Sequence, residues 1–129
     1  MAYGETKPVV ALIEDNTDCR ELLSIQLQEF YEVVCFSCVR AALKRFEFEI
    51  PAIILTDLLL PDQSGWDLLR EARARGVTIP IVAVSAYVVL GIREKVIKAG
   101  FDEFIAKPIL DVEAVVEVMN RLTRRKTAA

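Results

Sequence analysis

The chain has 129 residues, of which 53% are hydrophobic and 27% are charged, so it can bury the core of one ordinary domain. Its net charge of −3 disfavours a nucleic-acid binder, and its apolar stretches are too short to span a bilayer. The sequence contains no histidine, which excludes a Ser-His-Asp triad, a histidine general base and a His-ligated zinc site.

Apolar and amphipathic segments alternate along the chain. Five short apolar runs predict strands that a parallel sheet buries on both faces, at 8–13, 31–36, 52–56, 80–84 and 101–106. A helix is predicted after each strand, at about 17–30, after a cap at Ser37, around Leu68 to Ala72, at 91–99 and from Asp111. Gly76 and Gly100 are expected to end the third and fourth helices. This alternation implies an α/β fold with a doubly wound parallel sheet.

No linker, repeat or second domain interrupts the alternation. We therefore interpret 8–123 as one domain between an N-terminal tail, 1–7, and a C-terminal tail, 124–129. The first tail lacks the apolar core of a signal peptide. Three cysteines, an odd number, are unlike a secreted disulfide scaffold. A cytoplasmic location is the resulting expectation.

Polar residues stand at the ends of four predicted strands. Glu14 and Asp15 follow the first strand, Asp57 the third, Ser85 the fourth and Lys107 the fifth. Each residue alone also suits an ordinary role as a helix cap, a turn residue or a solvated charge. Open parallel sheets, however, form their sites outside the carboxyl ends of the strands. Three carboxylates there repel one another and favour Mg²⁺, which with the lysine would also attract a phosphoryl group.

These residues resemble those of the receiver domain of two-component response regulators, and the chain is similar to the single-domain chemotaxis and relay regulators. The resemblance covers about 8–122. It rests on motifs in the family's order, Glu14-Asp15, Leu55-Thr56-Asp57, Pro61 with Gly65, Ser85-Ala86 and Lys107-Pro108. The resemblance implies a flavodoxin-like fold with a five-stranded parallel sheet in the order 2-1-3-4-5.

The same resemblance assigns roles to the residues at the strand ends. Asp57 would be the nucleophile and phosphorylation site. Asp15 and Asp57 would bind Mg²⁺ (or Mn²⁺) directly together with the backbone carbonyl of Leu59, and Glu14 would act through water. Lys107 would pair with Asp57 at rest and with the phosphoryl oxygens afterwards.

The resemblance also implies a switch and its partners. Ser85 would donate its hydroxyl to the phosphoryl group, and Phe104 would turn into the vacated space. The surface formed by the fourth helix, fifth strand and fifth helix would then control a downstream protein. The donor would be a sensor histidine kinase or a histidine phosphotransfer protein. The chain would be a signalling acceptor rather than an enzyme, a monomer or weak dimer, with no direct contact to nucleic acid or membrane. The Lys107–Pro108 bond is expected to be cis.

Several positions depart from the commonest pattern of the family. Glu14 stands in place of Asp, Ser85 in place of Thr and Phe104 in place of Tyr. Leu59 and Tyr87, which would flank the acyl phosphate, have no amide or carboxylate to orient an attacking water. Slow self-hydrolysis of the phosphorylated form is therefore expected.

Three alternatives remain open at the level of sequence. The apolar run 87–90 suits either core packing or a contact with a partner or a second copy. Cys35 and Cys38 have the C-x-x-C spacing of a thiol-disulfide redox protein and precede a helix, whose N-terminus favours a thiolate. A phosphorylation-independent interaction module is the third alternative.

Overall fold

A computed structural model describes residues 7–127, with side chains as far as Arg124. Within this range five strands and five helices alternate, as predicted. In chain order they are β1 (Val9–Ile13), α1 (Thr17–Leu27), β2 (Glu32–Phe36), α2 (Val39–Phe46), β3 (Ile53–Thr56), α3 (Gly65–Ala74), β4 (Ile81–Ser85), α4 (Ile92–Ala99), β5 (Glu103–Ala106) and α5 (Val112–Thr127). Residues 1–6 and 128–129 of the two predicted tails lie outside the described residues.

The strands form one parallel sheet in the order β2-β1-β3-β4-β5, which confirms the predicted flavodoxin-like topology. In the register, Leu12 of β1 lies opposite Cys35 of β2 on one side and Leu55 of β3 on the other. The chain moves from β1 outward to β2 and then returns past β1 to β3. This reversal places a crevice between the carboxyl ends of β1 and β3, where open α/β sheets bind their ligands.

Two apolar clusters cover the two faces of the sheet, because alternate residues of a strand point to opposite sides. Leu12, Leu55 and Val84 face α1 and α5, and α5 contributes Met119 and Leu122 to this cluster. On the other face, Ala11, Ile54 and Ala83 pack under α2, α3 and α4. Because both faces are covered, the sheet exposes only its two ends and its edges. The well-packed strands therefore fix the positions of the polar residues at their ends.

Several element boundaries differ from the prediction. Helix α1 ends at Leu27 rather than near residue 30, because the Leu27 carbonyl accepts the N–H groups of both Phe30 and Tyr31 in a turn. Ser37 does not cap α2, since the residue before that helix is Cys38 and its side chain makes no capping hydrogen bond. Helix α5 continues to Thr127, into the range predicted as a tail. Gly100 ends α4 as expected, with a φ of 119° that favours glycine.

Within residues 7–127, the helices lack the combination of length and hydropathy that a membrane crossing requires.

Candidate functional site

The strand ends bring the predicted site residues to one edge of the sheet. Glu14 and Asp15 directly follow β1, and Asp57 directly follows β3, its hydrogen-bonded neighbour. The backbone N–H of Asp57 donates to the Ile13 carbonyl at 3.0 Å, which continues the hydrogen-bond ladder between β1 and β3 as far as Asp57. Lys107 follows β5 in the same way, with its N–H on the Ser85 carbonyl at 3.0 Å. The topology therefore places all four side chains at the crevice beside β1.

Three carboxylates converge there. Glu14, Asp15 and Asp57 each offer an oxygen, and these oxygens lie within 4.8 Å of one another. Glu14 is only 2% exposed, whereas Asp15 is open to solvent and Asp57 is half-buried. Oxygen donors without a His or Cys at this site fit a hard divalent cation such as Mg²⁺. An exposed carboxylate beside buried ones also leaves an approach from solvent for such an ion.

Lys107 supplies the positive charge of the cluster. Its ammonium donates to Asp57 Oδ2 at 2.9 Å and to Glu14 Oε1 in an ion pair. Burial would lower the pKa of Lys107, but its hydrogen bonds to Glu14 and Asp57 outweigh burial and raise that pKa above its usual value. One ammonium shared by two carboxylates still leaves a net negative site, which attracts a cation.

The direct contact between Glu14 and Lys107 was not predicted from the sequence, where Glu14 was expected to act through water. The Glu14 carboxylate also accepts the N–H of Asn16 at 3.1 Å, so both of its oxygens have partners. A buried carboxylate requires such pairing. The long side chain of a glutamate, compared with aspartate, suits this reach.

The Asp57 carboxylate is held by its own loop. Asp57 Oδ1 accepts the N–H groups of Leu58 at 2.7 Å and Leu59 at 3.2 Å. Gly65, at the start of α3, packs so closely on this loop that a Cβ there would overlap the Asp57 carbonyl. Its N–H donates to the Leu58 carbonyl at 2.9 Å. Only glycine fits this position, which explains why the motif residue is needed.

Ser85 and Phe104, which the sequence predicts as switch residues, lie at the end of β4 and within β5. Ser85 is buried at the end of β4, and its hydroxyl oxygen accepts the Tyr87 N–H at 3.1 Å. Phe104 is already buried, at 7% exposure, in the cluster under α4. Because phenylalanine has no hydroxyl to hydrate, nothing favours an outward ring. No rotation into a vacated space is therefore needed to bury it.

The apolar residues around the site are exposed. Leu59 is 65% exposed next to Asp57, and Tyr87 is half exposed next to Ser85. The rest of the run, Val88 to Leu90, is also exposed, and Leu90 completely so. The core-packing interpretation of 87–90 is therefore wrong for these side chains. They form an apolar rim beside the site.

Sequence reasoning missed two residues that hold the loops of the site. Arg20, one turn inside α1, donates to the Glu14 carbonyl at 2.8 Å and so ties the loop after β1. Asp62, in the loop after β3, accepts the N–H groups of Val39 and Arg40 at the start of α2. The sequence offers no signal for either contact, because each joins side chains to backbone groups of a different segment.

The two cysteines of the C-x-x-C pair lie in different surroundings. Cys35 and Cys38 are both free thiols. The Cys35 sulfur lies 3.0 Å from the Ser24 hydroxyl of α1, whereas Cys38 directly precedes α2, whose buried residues pack on the opposite face of the sheet. The N-terminal N–H groups of α2, which would favour a thiolate, already bind the Asp62 carboxylate.

The Lys107–Pro108 peptide bond is cis, as the resemblance implied.

Known proteins resemble this chain over nearly its whole length. The family model of the response regulator receiver domain matches residues 10–120. The transcriptional regulatory protein PhoP of Escherichia coli K12 is 32% identical over 119 residues, which cover 92% of this chain and 53% of that protein. The chain thus spans about half the length of this curated relative.

Solved structures share the fold. The receiver domain of a sensor histidine kinase from Pseudomonas aeruginosa PAO1 is 27% identical, with a TM-score of 0.81 over 92% of this chain and 98% of that one. That structure holds a magnesium ion coordinated in its active site cleft. A receiver domain of a Francisella response regulator has a TM-score of 0.85 at 20% identity, over 93% and 99% of the two chains. From its sheet order, its strand-end cluster and the match to the family model, this chain belongs to the response regulator receiver domain family.

Proposed function

We propose that this chain is a phosphorylation-dependent switch of a two-component phosphorelay, with Asp57 as the acceptor. The observation that carries the proposal is the contact of the Lys107 ammonium with Asp57 inside a cluster of three carboxylates. A structural ion pair would not need the two further carboxylates, whose mutual repulsion costs stability. A site built to bind a cation and then a phosphoryl group makes use of all four charges.

The residues suit an in-line transfer from a phosphohistidine of a sensor kinase or phosphotransfer protein. An Asp57 carboxylate oxygen attacks phosphorus, the phosphorus–nitrogen bond breaks, and the donor imidazole keeps the electron pair and takes up a proton. Lys107 stays charged and donates to the phosphoryl oxygens. Mg²⁺ or Mn²⁺, held by Asp15, Asp57 and the Leu59 carbonyl and through water by Glu14, would supply further charge neutralisation.

Ser85 and the loop after it form the proposed switch. The hydroxyl oxygen already accepts the Tyr87 N–H, so the hydroxyl proton is available to a phosphoryl oxygen on Asp57. Movement of Ser85 towards that oxygen would pull the loop 87–90 and change the surface formed by α4, β5 and α5. The expected result is a population shift between two packed states, which a downstream protein reads.

The remaining assignments are parts of the same proposal. The receiver domain is proposed to span 8–123 and to act in the cytoplasm, where its donor kinase presents the phosphohistidine. The chain catalyses its own Mg²⁺-dependent phosphorylation and slow dephosphorylation and turns over no separate substrate. The downstream protein is proposed to bind the surface formed by α4, β5 and α5.

The test is labelling by acetyl phosphate with and without Mg²⁺. Wild type is expected to gain one phosphoryl group, removable by hydroxylamine as an acyl phosphate is, only when the cation is present. Asp57→Ala should gain none, and Asp15→Asn should need far more Mg²⁺ because it loses one proposed ligand. Labelling that persists in Asp57→Ala, or that ignores the cation, contradicts the proposed function.

A further inference from the structure

Asp62 joins the acceptor loop, residues 57–64, to a different element of the fold. Its Oδ1 accepts the N–H of Val39 at 3.1 Å and of Gln63 at 2.8 Å, and its Oδ2 accepts the N–H of Arg40 at 3.0 Å. Both carboxylate oxygens are therefore occupied by backbone groups. Two of these three groups belong to α2, more than twenty residues away in the sequence.

Helix α2 depends on this contact. The first N–H groups of any helix have no partner within the helix, and a negative charge at that end is favourable. The residue before α2, Cys38, contributes no side-chain hydrogen bond. Slight burial opposes the charged form of Asp62, but the hydrogen bonds from Arg40, Val39 and Gln63 outweigh it and lower its pKa. The carboxylate is thus charged at neutral pH and serves as the missing cap.

The same contact restrains the loop from outside the site. At its start, the loop is held by Asp57 Oδ1, which accepts the Leu58 and Leu59 N–H groups. At its end, Leu59 pairs with Ser64 across a short bridge. The Leu59 side chain is 65% exposed, so it packs too little to fix its own backbone. The position of this backbone depends on hydrogen bonds. The N–H of Gly65 in α3 holds the Leu58 carbonyl at 2.9 Å, and Asp62 adds a second link, to the start of α2.

We propose that Asp62 is a positioning residue for the acceptor site: by fastening the acceptor loop to α2, it fixes the Leu59 backbone beside Asp57 and sets the affinity for Mg²⁺. This inference rests on the proposed function, because it assumes that the Leu59 carbonyl is a ligand. Asp62 contacts neither Asp57 nor the other carboxylates in the hydrogen bonds described, so it acts through the loop alone.

Asp102 provides a matched control. Its carboxylate also accepts a backbone N–H, that of Ile81 at 2.9 Å, and pairs with Arg73. It precedes β5 and lies at the opposite end of the sheet from the site. Asp62→Ala and Asp102→Ala therefore each remove a carboxylate that binds backbone, and only the first variant releases the acceptor loop.

The experiment measures Mg²⁺ affinity from the fluorescence of Trp66, which directly follows Gly65, and amide hydrogen exchange at Val39 and Arg40. Asp62→Ala is expected to weaken Mg²⁺ binding by about tenfold, as for other residues that orient a ligand. It should also accelerate exchange at both amides. Asp102→Ala should stay within about twofold of wild type. Asp62→Asn, which keeps one acceptor oxygen, should fall between wild type and Asp62→Ala and serves as the readout if the alanine variant unfolds.

Equal Mg²⁺ affinities for wild type, Asp62→Asn and Asp62→Ala, with faster exchange at Val39 and Arg40, would overturn the inference and leave Asp62 as a helix cap only. A different result would show that the proposed function itself is wrong. If wild type itself neither binds Mg²⁺ nor is labelled by acetyl phosphate, the proposed function fails, and the role of Asp62 fails with it.

Discussion

The buried carboxylate of Glu14 needs a compensating charge, and the Lys107 ammonium provides it. The lysine therefore has two tasks in this structure, to neutralise Glu14 and to orient Asp57. Charge added to Asp57 by a phosphoryl group would draw the ammonium towards it and away from Glu14. The cation proposed at the site would then balance the negative charge of Glu14. Cation binding and phosphorylation would therefore be coupled.

Leu59 should determine how long the phosphoryl group persists. In Leu59→Asn, the new amide can orient a water towards phospho-Asp57, so the half-life should shorten at least about tenfold, which needs only ~1.4 kcal/mol of barrier. The free energy of unfolding should change by less than about 0.5 kcal/mol because the side chain is exposed. The measurement is decay of the phosphorylated form after removal of donor. Leu59→Met is the apolar control. A wild-type half-life of seconds that Leu59→Asn leaves unchanged would contradict this prediction.

Helices α2 and α3 flank the acceptor loop and begin in opposite ways. Helix α3 carries its own capping box, in which the Ser64 hydroxyl accepts the Asp67 N–H and the Asp67 carboxylate accepts the Ser64 N–H. Helix α2 receives its cap from Asp62 in that loop. The start of α3 is thus a local property of the sequence, whereas the start of α2 depends on the tertiary fold.

The capping box of α3 should make stability depend on pH. The Ser64 N–H, Arg70 and the Ser64 hydroxyl all bind the Asp67 carboxylate and lower its pKa. A carboxyl whose pKa is lower in the folded state stabilises the fold at neutral pH and loses this effect as the pH falls below about 4 and through the folded-state pKa.

Wild type should therefore be more stable than Asp67→Asn in urea unfolding at pH 7, and the difference should shrink at pH 3. Arg70→Ala is the control that removes the ion pair and keeps the box. A difference that is independent of pH would show that the charge of Asp67 does not contribute.

At the scale of the described molecule, two separate apolar clusters pack on the two faces of one sheet. The site lies beyond both clusters, at the carboxyl ends of the strands. The two cysteines of the C-x-x-C pair lie apart from this site, with Cys35 against Ser24 of α1 and Cys38 directly before α2. Among the described residues, the hydrogen bonds of the Cys35 and Cys38 side chains include no residue of the carboxylate cluster. Redox chemistry and phosphoryl acceptance are therefore expected to be independent in this protein.

The double variant Cys35→Ser/Cys38→Ser should retain Mg²⁺-dependent labelling at the wild-type rate. Its free energy of unfolding should fall by no more than about 1 kcal/mol, because neither thiol is fully buried. Wild-type labelling should also be the same with and without reductant. If mild oxidation abolished labelling of wild type but not of the double variant, the redox alternative would be supported.

The sequence by itself determined the elements and the edge at which the site forms. Runs such as 52–56 encode burial on both faces, and parallel strands bring their carboxyl ends to one edge. The positions of Asp15, Asp57 and Lys107 directly after such runs were therefore enough to predict that these side chains lie together. The family resemblance added the sheet order. The elements themselves depend on short-range periodicity, which a single sequence carries in full.

Only the tertiary structure decided which side chains touch. The pair of Glu14 with Lys107 spans 93 positions, and the cap that Asp62 provides for α2 joins two loops. The exposure of 87–90 also escaped prediction, because an apolar run looks the same in a core and on a surface rim. The two contacts share a physical reason. Contacts between loops depend on how far a side chain reaches across strand ends, and spacing along the chain does not encode that distance.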